Sequence, residues 1–529
     1  MLQKKLTPIL DKQSNFFKNF LNPFLIAVIA VLLTFYAGYR GVFPLDSFLI
    51  YDAGYKIING FHPFKDYWVI TGPLLDYIQF LFFKLFGVNW FSYVLHASFL
   101  NLFLSLFLYF FLLEFKINQI YSLIYSISIS ILAYPSVGTP FMDHHATILA
   151  LISLMLFMLA LKKDNKIYWF LVSIFLFFSF LSKQIPSAYL LFLYIIVLPI
   201  SFYLNKFKNY QNFFSVFIGG ILSTFIFFLV IMINEIPFKN FWTQYVLYPI
   251  EIGSTRYDLI DFDFKKIVTQ FKFIYFSLLP LIFVLFKIIS LNGSNLEKKK
   301  DILQILVVFI SVAIFIYSQI LTKNQILIFF LVPFILGFTH YLSNKYKVGK
   351  FVYIILITIL VISSAKFYER FTVDKKFMDL AKVDLKLSKN ASILDKSLKN
   401  LNWITPHYPN NPEYELSKLI ELKEILLKDT NNKIIMTNYQ ILPSLINLRN
   451  IAPNKWFDIQ SVPDLNSKYF QLYKNFFIKN IKSQDIKIIY FMGYKMKYLI
   501  DILDDNCYEI TPVNEIASKI DISECFINS

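Results

Sequence analysis

The stretch FPLDSFLIYDAGYKIINGFHPFKDYWVITGPLLDY, residues 43–77, decides how this chain is interpreted. It places four aspartates, Asp46, Asp52, Asp66 and Asp76, directly after an apolar run that is suited to enter a bilayer. Ionised carboxylates are costly in hydrocarbon, so a cluster of them either lies outside the bilayer or serves chemistry at its edge. Which of these holds depends on how the chain crosses the membrane.

The composition is that of an integral membrane protein. Of 529 residues, 57% are hydrophobic and 16% are charged, and the mean hydropathy is +0.54. A net charge of +16 in a soluble protein suggests nucleic-acid binding, but here the lysines fall in short clusters between apolar runs. The charge therefore indicates membrane topology, and no nucleic-acid partner is expected.

About eleven apolar stretches are long enough to cross the hydrocarbon core as helices, which takes roughly 17–25 residues. A further stretch, residues 68–87, is also long enough, but it contains Gly72-Pro73 and two charged residues. If it does not cross, the lysine-rich connections and the basic N-terminus lie on one side, as the positive-inside rule requires. It is therefore predicted to be an amphipathic helix at the interface. The predicted spans lie near residues 22–38, 89–113, 119–135, 145–161, 167–182, 185–204, 212–233, 271–290, 302–321, 325–342 and 350–366.

This threading predicts a bacterial inner-membrane protein with a cytoplasmic N-terminus. Two large loops, residues 39–88 and 234–270, then lie on the periplasmic side. The fold class is predicted as an all-α polytopic membrane domain, residues 1–366, followed by a periplasmic α/β domain, residues 367–529.

Local patterns support the α/β domain. A helix is predicted to begin after Asn411, a suitable N-cap, with Pro412 at its first position. KIIMTN and IKIIYFMG indicate short buried strands, and YFQLYKNFFIKNI indicates a helix between them. Cys507 and Cys525 either form a disulfide in the periplasm or remain two structural thiols.

Asp46 is the strongest candidate for chemistry in the first outer loop. It lies just outside the first span and begins a second predicted interfacial helix, SFLIYDAGYKIINGF. A carboxylate there faces any head group held between the spans, and can act as a general base or bind a divalent cation. Asp66, between the two interfacial helices, is the second candidate. Asp52 and Asp76 lie within predicted helices and are expected to face water or to cap.

Further polar side chains occur at the outer ends of the helices. An Asp-His-His triplet either contributes to a metal or phosphate site or forms a capped helix start with interfacial histidines. Two short outer turns pair a lysine with amides, and these lysines either face a cavity or extend to the interface. An arginine in the second outer loop is suited to bind a phosphate bidentately. These candidates are Asp143, His144, His145, Lys183, Gln184, Arg256, Tyr257, Lys323, Asn324 and Gln325.

The motifs PLDSF and INGFHPFKDYWVITGPLLDY resemble the first-loop signature of the GT-C glycosyltransferases, in particular bacterial relatives of the protein mannosyltransferase and lipid A aminoarabinose transferase families. The resemblance covers roughly residues 20–345, with Ser47 where Glu is common. It implies sugar transfer from a polyprenyl-phosphate donor to a glycan, lipid or protein on the periplasmic face. Asp46 matches the acidic residue that opens the loop, and Asp66 matches the one that closes it.

We expect Asp46 to act as the general base and the lysines and arginine to neutralise the departing phosphate. This can occur with or without a divalent cation, Mg²⁺ or Mn²⁺, held by Asp66 or Asp143 and a histidine. Two other functions stay open. A transporter or flippase for a lipid-linked or small polar substrate would show internal repeats and charges near mid-membrane. A non-catalytic envelope scaffold would not require polar residues to converge on one cavity.

Overall fold

The structure, a computed structural model, describes residues 3–204, 210–258, 264–293, 295–322, 327–458, 460–492, 497–503, 507–523 and 525. The helices are α1 Gln3–Gly38, α2 Pro44–Ser47, α3 Leu49–Ile58, α4 Leu74–Phe86, α5 Trp90–Glu114, α6 Gln119–Leu132, α7 Met142–Lys163, α8 Lys166–Ser182, α9 Ser187–Leu204, α10 Tyr210–Ile233, α11 Phe238–Phe241, α12 Tyr248–Asp258, α13 Phe264–Gln270, α14 Lys272–Ser290, α15 Leu296–Thr322, α16 Leu331–Lys345, α17 Phe351–Phe367, α18 Pro412–Lys428, α19 Leu442–Leu445, α20 Phe470–Ser483 and α21 Lys497–Ile502. The strands are β1 Lys389–Asn390, β2 Asn402–Trp403, β3 Lys433–Thr437, β4 Ile488–Met492, β5 Glu509–Pro512 and β6 Ala517–Asp521. Two π-helical segments, Trp242–Leu247 and Tyr368–Val373, continue neighbouring helices.

The chain is a multi-pass membrane protein. Within the described ranges, eight helices are long and apolar enough to cross a membrane: parts of α1 and α10, all of α5, α7, α9, α14 and α15, and α17 with the residues that follow it. The other three predicted spans are helices as well, but α6, α8 and α16 have only 14, 17 and 15 residues. Each predicted span therefore coincides with a helix, although α6 and α16 are shorter than the roughly 17 residues that a full crossing requires and α8 is at that limit.

Helix α7 is the central helix of the membrane part. Its apolar window is buried along its whole length, and it packs against α5, α8, α9 and α15. A helix that is apolar on every face is stable only when other helices surround it. The polar residues of its first turn are consequently held in the interior of the molecule.

The first outer loop is buried more deeply than the sequence predicts. Helix α3 was expected to expose one face at the interface, yet Leu49–Ile57 is buried on all sides. Helix α4 buries the polar side chains of Asp76 and Gln79 and exposes Leu81 and Leu85. The expectation that Asp52 and Asp76 face water or cap is therefore wrong, because the C-terminal part of the chain covers this loop.

The C-terminal part contains a four-stranded sheet in the order β3-β4-β6-β5. Strands β3 and β4 are parallel and the remaining pairs are antiparallel, so α20 lies in the crossover between β3 and β4. The predicted strands, the helix between them and the start of α18 are confirmed, and the Asn411 side chain accepts the Tyr414 N–H at 3.1 Å. Cys507 and Cys525 form a disulfide. The predicted division near residue 366 stays a prediction.

Aromatic packing joins the first outer loop to the C-terminal part. The ring of Phe48 stacks on Trp403 with centroids 5.7 Å apart and meets Trp90 of α5 edge-on. Trp68 inserts between Tyr473 and Phe476 of α20. Such large buried rings each remove substantial apolar area from water, so the loop and the sheet share cores.

Two buried ion pairs complete this junction. Lys455 Nζ lies 2.6 Å from Asp76 Oδ1, and the side chains are 3% and 0% exposed. Lys56 Nζ lies 2.7 Å from Asp52 Oδ2 and also donates to the backbone oxygen of Asn454 at 2.7 Å. Removing one partner of such a pair leaves an uncompensated buried charge, which typically costs about 3–5 kcal/mol.

We expect Lys455→Met to lower the thermal unfolding midpoint of the detergent-purified protein strongly, because Asp76 then stays buried without its cation. The double variant Asp76→Leu with Lys455→Met should recover part of this loss. Lys487→Met, which removes a surface pair with Asp485, serves as the control and should leave the midpoint unchanged. Equal effects of Lys455→Met and Lys487→Met would contradict the proposed role of the buried pair.

Candidate active site

A cavity of about 640 Å³ lies where the first outer loop, the outer helix ends and a segment of the C-terminal part meet. Its walls come from α2, α7, α9, α12, α15, the turn between α8 and α9, and residues 456–458. One end is polar and the opposite end is apolar. The polar lining residues are Asp46, Thr71, Asp143, Lys183, Gln184, Thr322 and Asp458.

Asp46 is held rigidly by the short helix α2. Pro44 is the first residue of this helix, the Ser47 hydroxyl accepts the Phe43 N–H at 2.9 Å, and the Asp46 N–H donates to the Phe43 oxygen at 3.0 Å. The Trp456 indole donates to the oxygen of Leu45 at 3.2 Å, across 411 positions of sequence. The backbone on both sides of the carboxylate is thereby fixed.

The Asp46 carboxylate is an unusual acid. Its Oδ1 atom is buried and has no hydrogen-bond partner among the described residues. The pKa of Asp46 is raised to about 7, mainly by burial and in addition by the negative charges of Asp458 and Asp143, whereas the positive charge of Lys183 lowers it. A carboxylate with a pKa near neutrality can accept and release a proton under physiological conditions.

Lys183 and Asp143 form an ion pair in the cavity wall, with Lys183 Nζ 2.5 Å from Asp143 Oδ1. Lys183 follows the last residue of α8, and Asp143 lies in the first turn of α7. Of the two alternatives that the sequence leaves open for Lys183, a cavity or the interface, the structure places it in the lining of a cavity. This ion pair holds the positive charge of Lys183 at the polar end of the cavity.

The turn between α8 and α9 is fastened to the first loop. Gln184 Nε2 donates to the backbone oxygens of Ile70 and Tyr245, at 2.9 and 2.7 Å. The Gly72 N–H donates to the Ser182 oxygen at 3.0 Å, and a Cβ on Gly72 would lie only 1.7 Å from the Leu181 oxygen. Only glycine allows this close approach of the two backbones. Because both Gln184 hydrogen bonds go to backbone oxygens, its amide nitrogen positions the backbone of the cavity rather than facing a ligand.

The three residues predicted as a metal site point in different directions. Asp143 faces Lys183, whereas His145 Nδ1 is hydrogen-bonded to the Tyr134 hydroxyl and His145 Nε2 lies 3.0 Å from His96 Nε2. His144 packs against the Tyr134 ring. Successive helical residues project about 100° apart, which separates these side chains. Among the described residues, no group of three or more His, Cys, Asp or Glu side chains is arranged to hold a metal ion.

Asp66 lies outside this cavity. Its Oδ2 atom accepts the His62 N–H at 2.7 Å and closes a turn of the first loop. The remaining candidates fall outside what the structure describes: Lys323, Asn324 and Gln325 entirely, and Arg256 and Tyr257 in their side chains. Their neighbours Thr322 and Gly253 line the cavity.

An apolar groove of about 570 Å³ adjoins the cavity between α9 and α15. The rings of Tyr189 and Tyr317, with centroids 5.6 Å apart, belong to the walls of both spaces. From them the groove follows the two spanning helices and is lined by side chains such as Phe192, Ile196, Leu303, Leu306 and Ile310. The polar cavity therefore continues into a surface suited to a hydrocarbon chain.

Sequence reasoning missed four residues of these walls, Thr71, Trp456, Asp458 and Tyr317. The Thr71 hydroxyl is buried without a hydrogen-bond partner among the described residues. Trp456 and Asp458 reach the cavity only because the C-terminal part folds back onto the first loop. No local pattern in NKWFD indicates that the chain folds back in this way. Tyr317 was missed for another reason, because a tyrosine near the end of an apolar helix is too common to be singled out.

No protein-family model matches the sequence, and no curated protein matches it. Among solved structures, the fold is similar to ArnT from Cupriavidus metallidurans in the apo state, with 12% identity, a TM-score of 0.45 and coverage of 94% of this chain and 97% of that chain. ArnT bound to undecaprenyl phosphate gives 11% identity, a TM-score of 0.44 and the same coverage. The apo oligosaccharyltransferase from Archaeoglobus fulgidus has 13% sequence identity and a TM-score of 0.43, with coverage of 88% of this chain and 69% of that chain.

These proteins belong to the GT-C superfamily, the class that the first loop resembles. At these identities and TM-scores they carry no weight for the chemistry of this chain, which depends on its own residues.

We expect a cysteine at Ile250, which lines the cavity and is exposed, to react with a membrane-impermeant maleimide in intact cells whose outer membrane is permeabilised, because the cavity is predicted to open to the periplasm. Cys507 and Cys525 are paired and should give no background. Thr34→Cys, buried within α1, is the control and should remain unlabelled. Labelling of the Ile250 variant only after the inner membrane is opened would contradict the predicted orientation.

Proposed function

We propose that this protein is an integral-membrane glycosyltransferase that transfers a sugar from a polyprenyl-phosphate donor to an acceptor hydroxyl at the outer face of the bacterial inner membrane. The acceptor belongs to a glycan, a lipid or a protein.

The main support is one observation: a buried carboxylate oxygen without a partner faces a cavity that continues into an apolar groove between two spanning helices. Burying an unpaired polar atom is costly, so a ligand atom that binds it restores lost hydrogen bonding. A ligand filling both spaces has a polar head and a long hydrocarbon tail. The convergence of polar side chains on one cavity also favours an enzyme over a scaffold.

In the proposed reaction, Asp46 accepts the proton of the acceptor hydroxyl as that oxygen attacks the anomeric carbon of the donor. A new carbon–oxygen bond forms while the bond to the phosphate oxygen breaks, and its electron pair leaves with the polyprenyl phosphate. Attack from the face opposite the leaving group inverts the anomeric configuration. General-base assistance of this kind typically contributes ~10²–10⁴ in rate.

The leaving phosphate gains negative charge, and Lys183 is the one lysine or arginine among the described residues that line the cavity. Asp143 acts as a positioning residue, since its ion pair holds the Lys183 ammonium in the wall. Lys323 and Arg256 are further proposed phosphate ligands, because their neighbours line the same cavity. Losing one such cation is expected to cost on the order of 10²–10³ in turnover.

We assign no step of the proposed reaction to a divalent cation. The predicted ligand set of Asp66, or of Asp143 with a histidine, does not fit one ion. Asp66 closes a turn outside the cavity, Asp143 pairs with Lys183, and His145 is bonded to Tyr134 and His96. The proposed steps are therefore assigned to the side chains of Asp46 and Lys183, with Lys323 and Arg256 as further phosphate ligands.

We expect Asp46→Asn to reduce transfer by about 10²–10⁴, because asparagine cannot accept the proton. Comparison of glycans and lipids by mass spectrometry in a host with and without the gene should first identify the missing sugar. Transfer from the corresponding polyprenyl-phosphate donor is then measured with purified variants.

Asp66→Asn is the matched control, because an asparagine oxygen still accepts the His62 N–H and the residue lies outside the cavity. It should retain near-normal transfer. Normal turnover by Asp46→Asn with its true donor would show that the assignment of the base is wrong.

The pH dependence gives a second test. Because Asp46 must be deprotonated, kcat/KM should rise with pH through about 7 and level off above it. Asp458→Asn removes a negative neighbour and should move this limb to lower pH. Lys183→Gln removes the opposing cation, leaves Asp143 unpaired and should move the limb to higher pH. A limb that moves the same way in both variants, or in neither, would contradict Asp46 as the titrating group.

A further inference from the structure

A second polar cavity lies at the opposite ends of two helices that carry the candidate active site. It has a volume of about 490 Å³ and is formed by the last turns of α7 and α16, the first turns of α15, and the residues that end α5. Its lining includes four lysines and two carboxylates: Lys116, Lys162, Lys300, Lys345, Glu297 and Asp301.

This cavity lies at the other membrane interface from the candidate active site. Asp143 lies in the first turn of α7 and Lys162 in its last turn. At 1.5 Å per residue, the helical rise between them is about 28 Å, which is close to the hydrocarbon thickness of about 30 Å. Helix α15 likewise has Asp301 near its beginning and Tyr317 of the apolar groove near its end.

The two carboxylates of this cavity both form ion pairs with the same lysine, Lys345. Asp301 Oδ2 lies 2.6 Å from Lys345 Nζ and accepts the Tyr346 hydroxyl at 2.5 Å. Glu297, which is mostly exposed, also faces Lys345, at 3.5 Å. Three lysines of the lining, Lys116, Lys162 and Lys300, therefore remain without a carboxylate partner among the described ion pairs.

Lys162 is held at the wall with its charge turned toward the cavity. Its ammonium lies 3.8 Å from the ring centroid of Phe115 and 4.3 Å from that of Tyr341, and it donates to the Glu114 backbone oxygen. These cation–π contacts fix the position of the charge without neutralising it. Cations gathered in one partly enclosed space repel one another unless an anion joins them.

We propose that this cavity binds the phosphate group of an anionic lipid from the leaflet opposite the candidate active site. A lysine-lined pocket between transmembrane helices at the interface provides point charges for the phosphate. The aromatic wall of Phe115 and Tyr341 provides apolar contact for the part of the lipid next to it. This site is separate from the proposed transfer reaction and does not depend on it.

The test measures binding of short-chain phosphatidylglycerol to the purified full-length protein, with phosphatidylcholine of the same chain length for comparison. The variant Lys162→Gln with Lys300→Gln removes two unpaired cations from the lining. Lys163→Gln with Lys299→Gln, at the neighbouring positions outside the lining, removes the same charge and is the matched control. Gel filtration in detergent checks that every variant is folded.

We expect wild type and the control to bind phosphatidylglycerol at least about tenfold more tightly than phosphatidylcholine. The cavity variant should lose about tenfold or more of this affinity. If that variant does not fold, Lys300→Gln alone should weaken binding several-fold, since no described ion pair depends on Lys300. Unchanged affinity in the cavity variants, or an equal loss in the control, would overturn the proposal.

Inorganic phosphate provides a second arm. Competition that needs millimolar phosphate would support a lipid as the source of the bound group. If inorganic phosphate binds as tightly as phosphatidylglycerol with the same dependence on Lys162 and Lys300, the lipid assignment is overturned and the site belongs to a soluble phosphate.

Discussion

The buried pairing of Asp76 with Lys455 is the interaction on which the candidate site depends. It joins helix α4 of the first outer loop to a segment nearly 380 positions later, and both side chains are almost completely buried. Lys56 and the indole of Trp456 bind the loop and that segment together on either side of the pair. The cavity is therefore closed by two distant parts of the chain.

Closure by the C-terminal part also sets the electrostatics. Asp458 comes from the same segment, and its charge adds to the burial that raises the pKa of Asp46. A carboxylate at this position in an open loop would be solvated and would have an ordinary pKa. The fold thus links two properties that a transfer reaction at a membrane surface needs: exclusion of water from the base, and an adjoining apolar space for a lipid tail.

Much of the fold could be predicted from the sequence because its signals are local. Apolar stretch length located the eleven helices, and Asn411 with Pro412 located the start of α18. For Lys183 the sequence left two alternatives open, a cavity or the membrane interface, because a long side chain between two apolar helices can also extend to the interface. The burial of Asp52 and Asp76 could not be predicted, because in the sequence they resemble ordinary loop carboxylates and only the fold places Lys56 and Lys455 beside them.

Tertiary contacts explain the remaining differences. The Asp-His-His triplet has the composition of a metal site, but helix geometry turns His145 toward His96 and Tyr134 instead. Asp66 matches a family motif, yet its carboxylate is used by its own turn. Trp456 and Asp458 carry no local signal, since their role comes from a return of the chain over more than 400 positions.

The most direct test of the account is an experimental structure with a bound polyprenyl phosphate. We expect the phosphate to lie at the polar end of the cavity, beside Lys183 and within reach of Asp46, with the isoprenoid chain between α9 and α15. A phosphate bound elsewhere, or an Asp46 carboxylate turned toward bulk solvent, would contradict it.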